Sequence, residues 1–549
     1  MGASNERVAE LLAEYGGPDA CAAELLCDRH AADAWAFTFV AADLSAETVT
    51  FGVLADRSKR VAAGLAELGV GPGTCVATLM GKSSDLVTAQ LAIWRLGGVL
   101  VPLFTAFAPS AIAMRLNASD TQVVIVDEDQ RFKLEPSIDI PLDASWRVVT
   151  RGESAPAGDV RFDTLASHEP IDSPAVRLGG DGALIRIFTS GTTGNPKGVV
   201  VPVHAIGSMV AYLELGLDVR PHDVYWCAAD PGWAYGLYYA VVAPLAMGRD
   251  AIMLRPGFSA GLTWQILERF AVTNLATAPT VYRALRNATV PGDLSLRRLS
   301  SAGEPLDPST IAWAEDVLGL PIRDHYGQTE LGMVVLNAWH PDLAQALRPG
   351  SMGQPAPGWA VELLAPDRDE VAPRGDAGRV AVDVGASAFF WFAGYADDSA
   401  RTSERFTSDQ AWYLTGDVAT RDDDGYFFFS ARDDDVIIMA GYRIGPFEVE
   451  SAIAEHPLVA EVAVIGVPDP LRGEVIEAFV VISADADVPD TFEDEVKQYA
   501  KTRFAAHAAP RHVHVVNSVP KTPSGKVKRF ELREQRREEL ESGADQSSH

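Results

Sequence analysis

Residues Thr189 to Gly198 read TSGTTGNPKG and follow directly on the apolar run Ala-Leu-Ile-Arg-Ile-Phe at 183–188. Gly191, Gly194 and Gly198 let the backbone curl closely and turn its N–H groups toward one point, while Ser190, Thr192 and Thr193 add hydroxyl donors and Lys197 a charge. Such a loop suits a polyphosphate. The spacing departs from the Walker pattern GxxxxGK[ST], because Lys197 comes three residues after Gly194 and is followed by glycine. A phosphate-binding fold of another kind is therefore required.

At 549 residues the chain exceeds what one hydrophobic core usually supports, so at least two domains are expected. The formal net charge of −29 argues against nucleic acid or an anionic membrane as partner, since either needs a broad positive field. An anion must instead be captured locally. No lysine occurs between Lys197 and Lys497, which makes Lys197 and Lys526 stand out. Cys21, Cys27, Cys75 and Cys227 outline no disulfide framework, which points to a reducing, cytoplasmic setting. The start MGASNERVAELLAEYGG has neither a basic n-region nor an apolar core, so it does not read as a signal peptide. The apolar stretch from Ala89 to Phe107 is interrupted by Arg95, Gly97, Gly98 and Pro102, and no membrane span is expected.

Helical periodicity from Arg57 to Leu68, followed by GVGPG and the strand-like Thr74 to Met80, sets a pattern of helix alternating with buried strand that recurs near 121–126 and 250–254. The expected architecture is a large compound α/β domain over residues 1–431, then a small α+β domain over 432–549. His512 and His514 alternate on a strand-like segment and read as solvated positions.

Four further clusters carry chemistry. Asp324-His325-Tyr326-Gly327-Gln328-Thr329-Glu330 supplies an aromatic face for adenine, a hydroxyl for phosphate, and in Glu330 an oxygen ligand for a hard cation. Trp412-Tyr-Leu-Thr-Gly-Asp417 places a carboxylate after a glycine turn, suited to accepting from both ribose hydroxyls. Ala431-Arg432-Asp-Asp434-Asp-Val436, running into GYRIGPFEVE at 441–450, suits a hinge. PKTPSGKVKR at 520–529 presents Lys526 on a Pro/Gly-ordered loop, where a charge can meet developing phosphoryl charge.

Taken in order, the five motifs resemble the adenylate-forming superfamily of acyl-CoA synthetases, luciferases and peptide-synthetase adenylation domains, over nearly the whole chain. GYRIGPFEVE, EHPLVAEVAVIGVPDPLRGEVIEAFVVI and DHYGQTE most resemble medium-chain acyl-CoA synthetases. The resemblance implies a ligase that uses ATP, Mg2+ and coenzyme A to join a carboxylic acid to AMP and then to a thiol. It implies that Thr189 to Lys197 hold the outer phosphates, that Thr329 and Glu330 serve phosphate and magnesium, and that Lys526 bridges carboxylate and α-phosphate. Gly303, Glu304 and Pro305, with Asp324 to Thr329, match adenine-flanking segments, and Asp417 and Arg432 match ribose contacts. Asp434 matches the hinge, Ala440, Gly441, Tyr442 and Arg443 the thiol tunnel, and Arg472 a contact to the coenzyme A phosphates. Where relatives often carry a lysine with aromatics, this chain reads His507-Ala-Ala-Pro-Arg511, so one coenzyme A contact is missing.

For the acyl pocket, the resemblance implies a wall at Trp233 and space at Ala234, Ala302 and Gly327, where acetate-specific relatives are bulkier and carry tryptophan at the last, with Tyr235 refilling part of it. That favours medium-chain, branched or aromatic acids. A carrier-protein thiol as acceptor is the alternative within the same chemistry, and an inactive nucleotide-binding scaffold is the alternative outside it. The features leave room for a homo-oligomer.

Overall fold

The structure is a computed structural model that describes residues 2–189, 197–439, 442–469, 473–483, 488–505, 508–521 and 527–546, with backbone alone at 442, 443 and 541–546. The fold is mixed α/β, with a large N-terminal part and a smaller C-terminal part. A helix over Phe51–Glu67 begins where the Thr50 hydroxyl accepts from the Val53 amide at 3.3 Å, and it packs on a second over Ser84–Arg95, capped by Ser83 at the Leu86 amide. Every residue of the second helix except Asp85 is buried, which explains its apolar reading. Among the described residues no helix is long and apolar enough to cross a membrane.

The first sheet has seven strands, including β1 (Cys75–Leu79), β2 (Val99–Pro102), β3 (Ala183–Thr189) and β4 (Lys197–Pro202). Its pairings are parallel except the last, where β3 and β4 run antiparallel with Thr189 opposite Lys197. The Gly/Ser/Thr-rich segment thus joins two strands, whereas a Walker loop leads from strand to helix, and this is the physical reason for the different spacing.

The second sheet has nine strands, with a parallel centre that includes β5 (Tyr225–Cys227), β6 (Asn274–Thr277), β7 (Arg298–Ala302) and β8 (Ile322–Gln328). Antiparallel to β8 lies β9 (Gly332–Leu336). Residues 228–235, 278–280, 303–305 and 329–330 all follow the carboxyl ends of these parallel strands, the edge at which open α/β sheets bind ligands. A four-stranded antiparallel sheet ends in β10 (Trp412–Arg421) and β11 (Phe427–Arg432), with Asp417 directly opposite Arg432.

The C-terminal sheet comprises β12 (Ile437–Met439), β13 (Tyr442–Ile444), β14 (Val459–Asp469), β15 (Gly473–Ile482) and β16 (His512–Val515). Its core includes Ile465, Ile476, Val480, Val496 and Leu532, with helices over Pro446–Ala454, Phe492–Arg503 and Arg529–Gln546 around it. His512 is exposed, but His514 differs from the expected solvated position. It stacks on Phe479 at 4.7 Å and lies 2.7 Å from Glu477 Oε2, which also accepts from Arg536 Nε at 2.7 Å.

Burial alone would raise the Glu477 carboxyl; the bonds from His514 and Arg536 outweigh it and hold the group below the usual carboxylate range. A carboxylate depressed in this way adds stability above its ordinary range and loses it as pH falls through the folded value. Glu477→Gln is accordingly expected to lower the melting temperature at neutral pH by the equivalent of about 1–3 kcal/mol. The gap to wild type should close as the pH is lowered through the carboxylate range.

Candidate active site

At the phosphate end, the described residues include Thr189, last in β3, and Lys197, first in β4; Ser190, Gly191, Thr192, Thr193 and Gly194 lie outside them. Lys197 Nζ sits 4.9 Å from the ring centre of Tyr395. The Tyr395 hydroxyl donates to Glu330 Oε1 at 2.8 Å and accepts from Arg405 Nε at 3.1 Å. Glu330 is buried. Lys197 and Glu330, far apart in sequence, are thereby joined through one phenol.

Burial, followed by the Arg405 and Arg401 cations, holds the Lys197 ammonium below the usual lysine range, while Glu330 acts in the opposite sense. Burial and the Glu330 charge push the Tyr395 phenol up, so it remains a donor. Neither Tyr395 nor Arg405 was expected to form part of the site. Tyr395 reaches it because Val199 and Tyr395 form a bridge and the Ala396 amide donates to the Gly198 carbonyl at 2.8 Å, a long-range pairing with no local signature. The aromatic run FWFAGY at 390–395 is the one available hint. Tyr395→Phe leaves a buried carboxylate short of a donor and is expected to cost about 1–3 kcal/mol in stability, read as a lower melting temperature.

At the nucleoside end Asp417 is buried at 4% exposure and accepts three hydrogen bonds. Their donors are the Tyr326 hydroxyl, Gln328 Nε2 at 2.8 Å and an Arg432 guanidinium N–H at 3.0 Å. A carboxylate has about four acceptor positions, so this hub keeps capacity for a further hydroxyl. Three sequence clusters thus meet at one side chain. Gln328 also donates to the Thr415 carbonyl at 2.9 Å, and Thr329 accepts from the Tyr238 hydroxyl through its own carbonyl at 3.0 Å.

Gly303 has φ +102° and nothing within 4 Å of where a Cβ would stand, so its face is open. Glu304 behaves otherwise: its carboxylate accepts from the Thr280 amide at 2.9 Å and from the Thr280 hydroxyl, tying the first turn of the helix after β6 to the loop after β7. The following Pro305 carbonyl accepts from Arg283 at 3.4 Å. Burial pushes the Asp324 carboxyl well above the usual range, and its Oδ1 has no hydrogen-bond partner.

His325 departs from the expected nucleotide contact. Successive strand residues face opposite ways, and its ring turns from the Tyr326 and Gln328 side to meet the Tyr212 hydroxyl at 2.7 Å and the Asn337 carbonyl at 3.2 Å.

Of the residues assigned to the acyl pocket, Ala302 and Tyr235 lie on that side. Trp233 packs edge-on to Phe107 at 5.2 Å and tilted against Phe104 at 5.3 Å. Half-buried Ala234 and Tyr235 follow it, and buried Ala302 is in register with His325. Gly327 needs a correction. A Cβ there would collide with the Gly332 carbonyl, so the glycine is required by the close approach of β9, and a missing side chain at 327 does not itself open space.

At the junction, Arg432 Nε lies 3.7 Å from Asp434 Oδ1, and the Asp433 amide donates to the Gly416 carbonyl at 2.9 Å. Asp435 instead pairs with Arg529 at 3.6 Å and Arg533 at 2.8 Å, both on the last helix, and Arg529 is further held by Glu450 at 2.6 Å. Tyr442 and Arg443 are placed by backbone only, opposite Met439 and Ile438. Lys526, Ala440, Gly441 and Arg472 lie outside the described residues.

Comparisons with known proteins agree with this geometry. The AMP-binding enzyme family matches residues 26–389, and the AMP-binding enzyme C-terminal domain matches residues 448–526. Acetyl-coenzyme A synthetase of Bacillus subtilis is 33% identical over 504 residues, covering 89% of this chain and 85% of that protein. The mitochondrial acyl-coenzyme A synthetase ACSM3 of Rattus norvegicus is 33% identical over 476 residues, covering 84% and 79%. The crystal structure of the Brucella canis acyl-CoA synthetase superposes with a TM-score of 0.75 at 39% identity, covering 98% of this chain and 99% of that one. The chain belongs to the AMP-binding enzyme family.

Proposed function

We propose that the protein is an ATP-dependent acyl-CoA ligase that activates a medium-chain, branched or aromatic carboxylic acid as acyl-AMP and then passes the acyl group to coenzyme A. One observation carries this reading. Gln328 holds Asp417, while Glu330, two residues on, takes the Tyr395 hydroxyl beneath Lys197. A ribose-binding carboxylate and a phosphate-binding lysine are thus set along one short stretch of chain, as a nucleoside triphosphate requires.

A carboxylate is a poor acyl donor because its leaving group would be oxide. In the first step its oxygen attacks the α-phosphorus, a P–O bond forms, and the bond to pyrophosphate breaks. Lys197 and the loop before it grip the departing phosphates, and Lys526 meets the charge that builds at the α-phosphate. Glu330 is suited to magnesium, since a single carboxylate plus substrate phosphates is a common way of holding that ion. When bound, magnesium neutralises phosphate charge. Asp417 accepts from the ribose, Asp324 and Gly303 border the base, and Arg432 holds Asp417 oriented.

In the second step the thiol sulfur of coenzyme A attacks the acyl carbon and AMP leaves. In this reading Lys526 acts from the side the thiol must use, so the C-terminal unit has to turn between steps. Asp434 is the pivot in this reading, because Arg432 is tied to Asp417 before it and Asp435 to the last helix after it. The boundary drawn at 431/432 cuts into β11, and we place it at Asp434. Tyr442, Arg443 and Arg472 are assigned to the coenzyme A path by the resemblance alone. Buried, unpaired cysteines at 21, 27 and 227 support a cytoplasmic setting.

Incubation with ATP, magnesium, coenzyme A and acids from acetate to octanoate and benzoate tests the proposal. Coenzyme A-dependent AMP release is expected, strongest with acids larger than acetate. Release only with a carrier-protein thiol would favour the alternative acceptor, and none with any acid would favour a nucleotide-binding scaffold.

A further inference from the structure

Behind the proposed acyl pocket runs a hydrogen-bond chain whose direction is set from its far end. His325 Nε2 lies 3.2 Å from the Asn337 carbonyl, which can only accept, so Nε2 carries the proton. Burial pushes the imidazole down to about 3, which leaves the ring neutral and Nδ1 an acceptor. The Tyr212 hydroxyl, 2.7 Å from Nδ1, must therefore donate to it. Tyr212 has one proton and has used it. Its oxygen is 3.0 Å from the Tyr235 hydroxyl, so between these two the donor is Tyr235.

The rings keep this order. Tyr212 stands edge-on to His325 at 5.3 Å and against Tyr239 at 4.5 Å, and Tyr235 meets Tyr239 at 5.0 Å. Tyr212 and His325 are each 2% exposed and Asn337 4%, whereas Tyr235, in the first turn of the helix that begins at Ala234, is half-buried. Tyr235 is thus the least buried member of the chain. Its proton is committed inward and its oxygen lone pairs remain.

We propose that Tyr235 is a specificity-determining residue whose hydroxyl oxygen accepts a hydrogen bond from the substrate, so that the preferred acids carry a donor substituent, a hydroxyl or an amino group, on the acyl chain or ring. The inference rests on the acyl-ligase reading and on the assignment of Tyr235 to its pocket. An acid with an acceptor alone at that point, such as a methoxy or keto group, faces an oxygen with no proton to give. Accepting from Tyr235 would require the Tyr235 to Tyr212 bond to break.

The test compares kcat/KM for matched acids: hydroxy-, amino-, methyl- and methoxybenzoates at each ring position, and hydroxy- against methyl-substituted alkanoates. A net neutral hydrogen bond corresponds to a preference of about five- to tenfold. At one position the hydroxy or amino acid should exceed its methyl isostere by that factor, and Tyr235→Phe should bring the ratio close to one. Tyr212→Phe is the sharper variant. It frees the Tyr235 proton, so acids with acceptor substituents should gain relative to their methyl isosteres.

Melting curves and ATP binding identify any variant that has lost its fold, and the wild-type ratios stand without the variants. Turnover with no donor preference at any position, or the same selectivity change in Tyr212→Phe and Tyr235→Phe, overturns this inference alone. No turnover with any acid overturns the ligase reading and this inference with it.

Discussion

Lys526→Ala is expected to slow acyl-AMP formation on the order of a hundredfold or more while largely sparing thioester formation from synthetic acyl-AMP and coenzyme A. The asymmetry follows from where charge develops. Attack on the α-phosphate gathers negative charge that a positioned ammonium stabilises, and loss of one such preorganised group typically costs two to three orders of magnitude. In thioester formation the C-terminal unit has turned in this account and taken Lys526 away from the phosphate, so the same lysine matters little. Single-turnover measurements of each half-reaction separate the two. Equal loss in both would mean that Lys526 serves the fold or a shared binding step.

Asp417→Ala carries the next largest effect, at the other end of the nucleotide. It removes a buried acceptor that now orders Tyr326, Gln328 and Arg432. A hydrogen bond to a charged group is worth about 1.5–3 kcal/mol, so losing the one that Asp417 has room to accept from a ribose should weaken ATP binding roughly ten- to a hundredfold. The variant also leaves Arg432 without its carboxylate. Breaking a buried pair costs about 3–5 kcal/mol, but the Arg432 side chain is 32% exposed and water will cover part of that loss. Asp417→Asn, which keeps shape and one acceptor, should therefore melt closer to wild type than Asp417→Ala while still binding ATP weakly. A double-mutant cycle with Arg432→Gln should show strong coupling, since both residues act through one contact.

What could be read from the chain and what could not divide along a physical line. Lys197, Glu330, Asp417 and Arg432 were legible because their chemistry is written locally, as a glycine-rich turn or a carboxylate after a glycine. Their meeting needed the sheet register that sets Asp417 opposite Arg432 and Thr189 opposite Lys197. Tyr395 and Arg405 were not legible, because they reach Glu330 through a bridge between distant segments. His325 was grouped with its neighbours in DHYGQTE, although strand alternation turns it away from them. Gly327 was read as missing bulk, whereas the approach of β9 demands it. The helix and strand alternation foretold a large α/β part, but not that the phosphate loop would close a hairpin.

Labelled pyrophosphate exchange into ATP, measured without coenzyme A, bears most directly on the central claim that one site adenylates a carboxylate before any thiol is present. Exchange should appear only when a carboxylic acid and magnesium are both supplied, and it should fall by at least about a hundredfold in Lys526→Ala. Exchange that proceeds equally well without an acid, or that appears with no acid tried, would contradict the account.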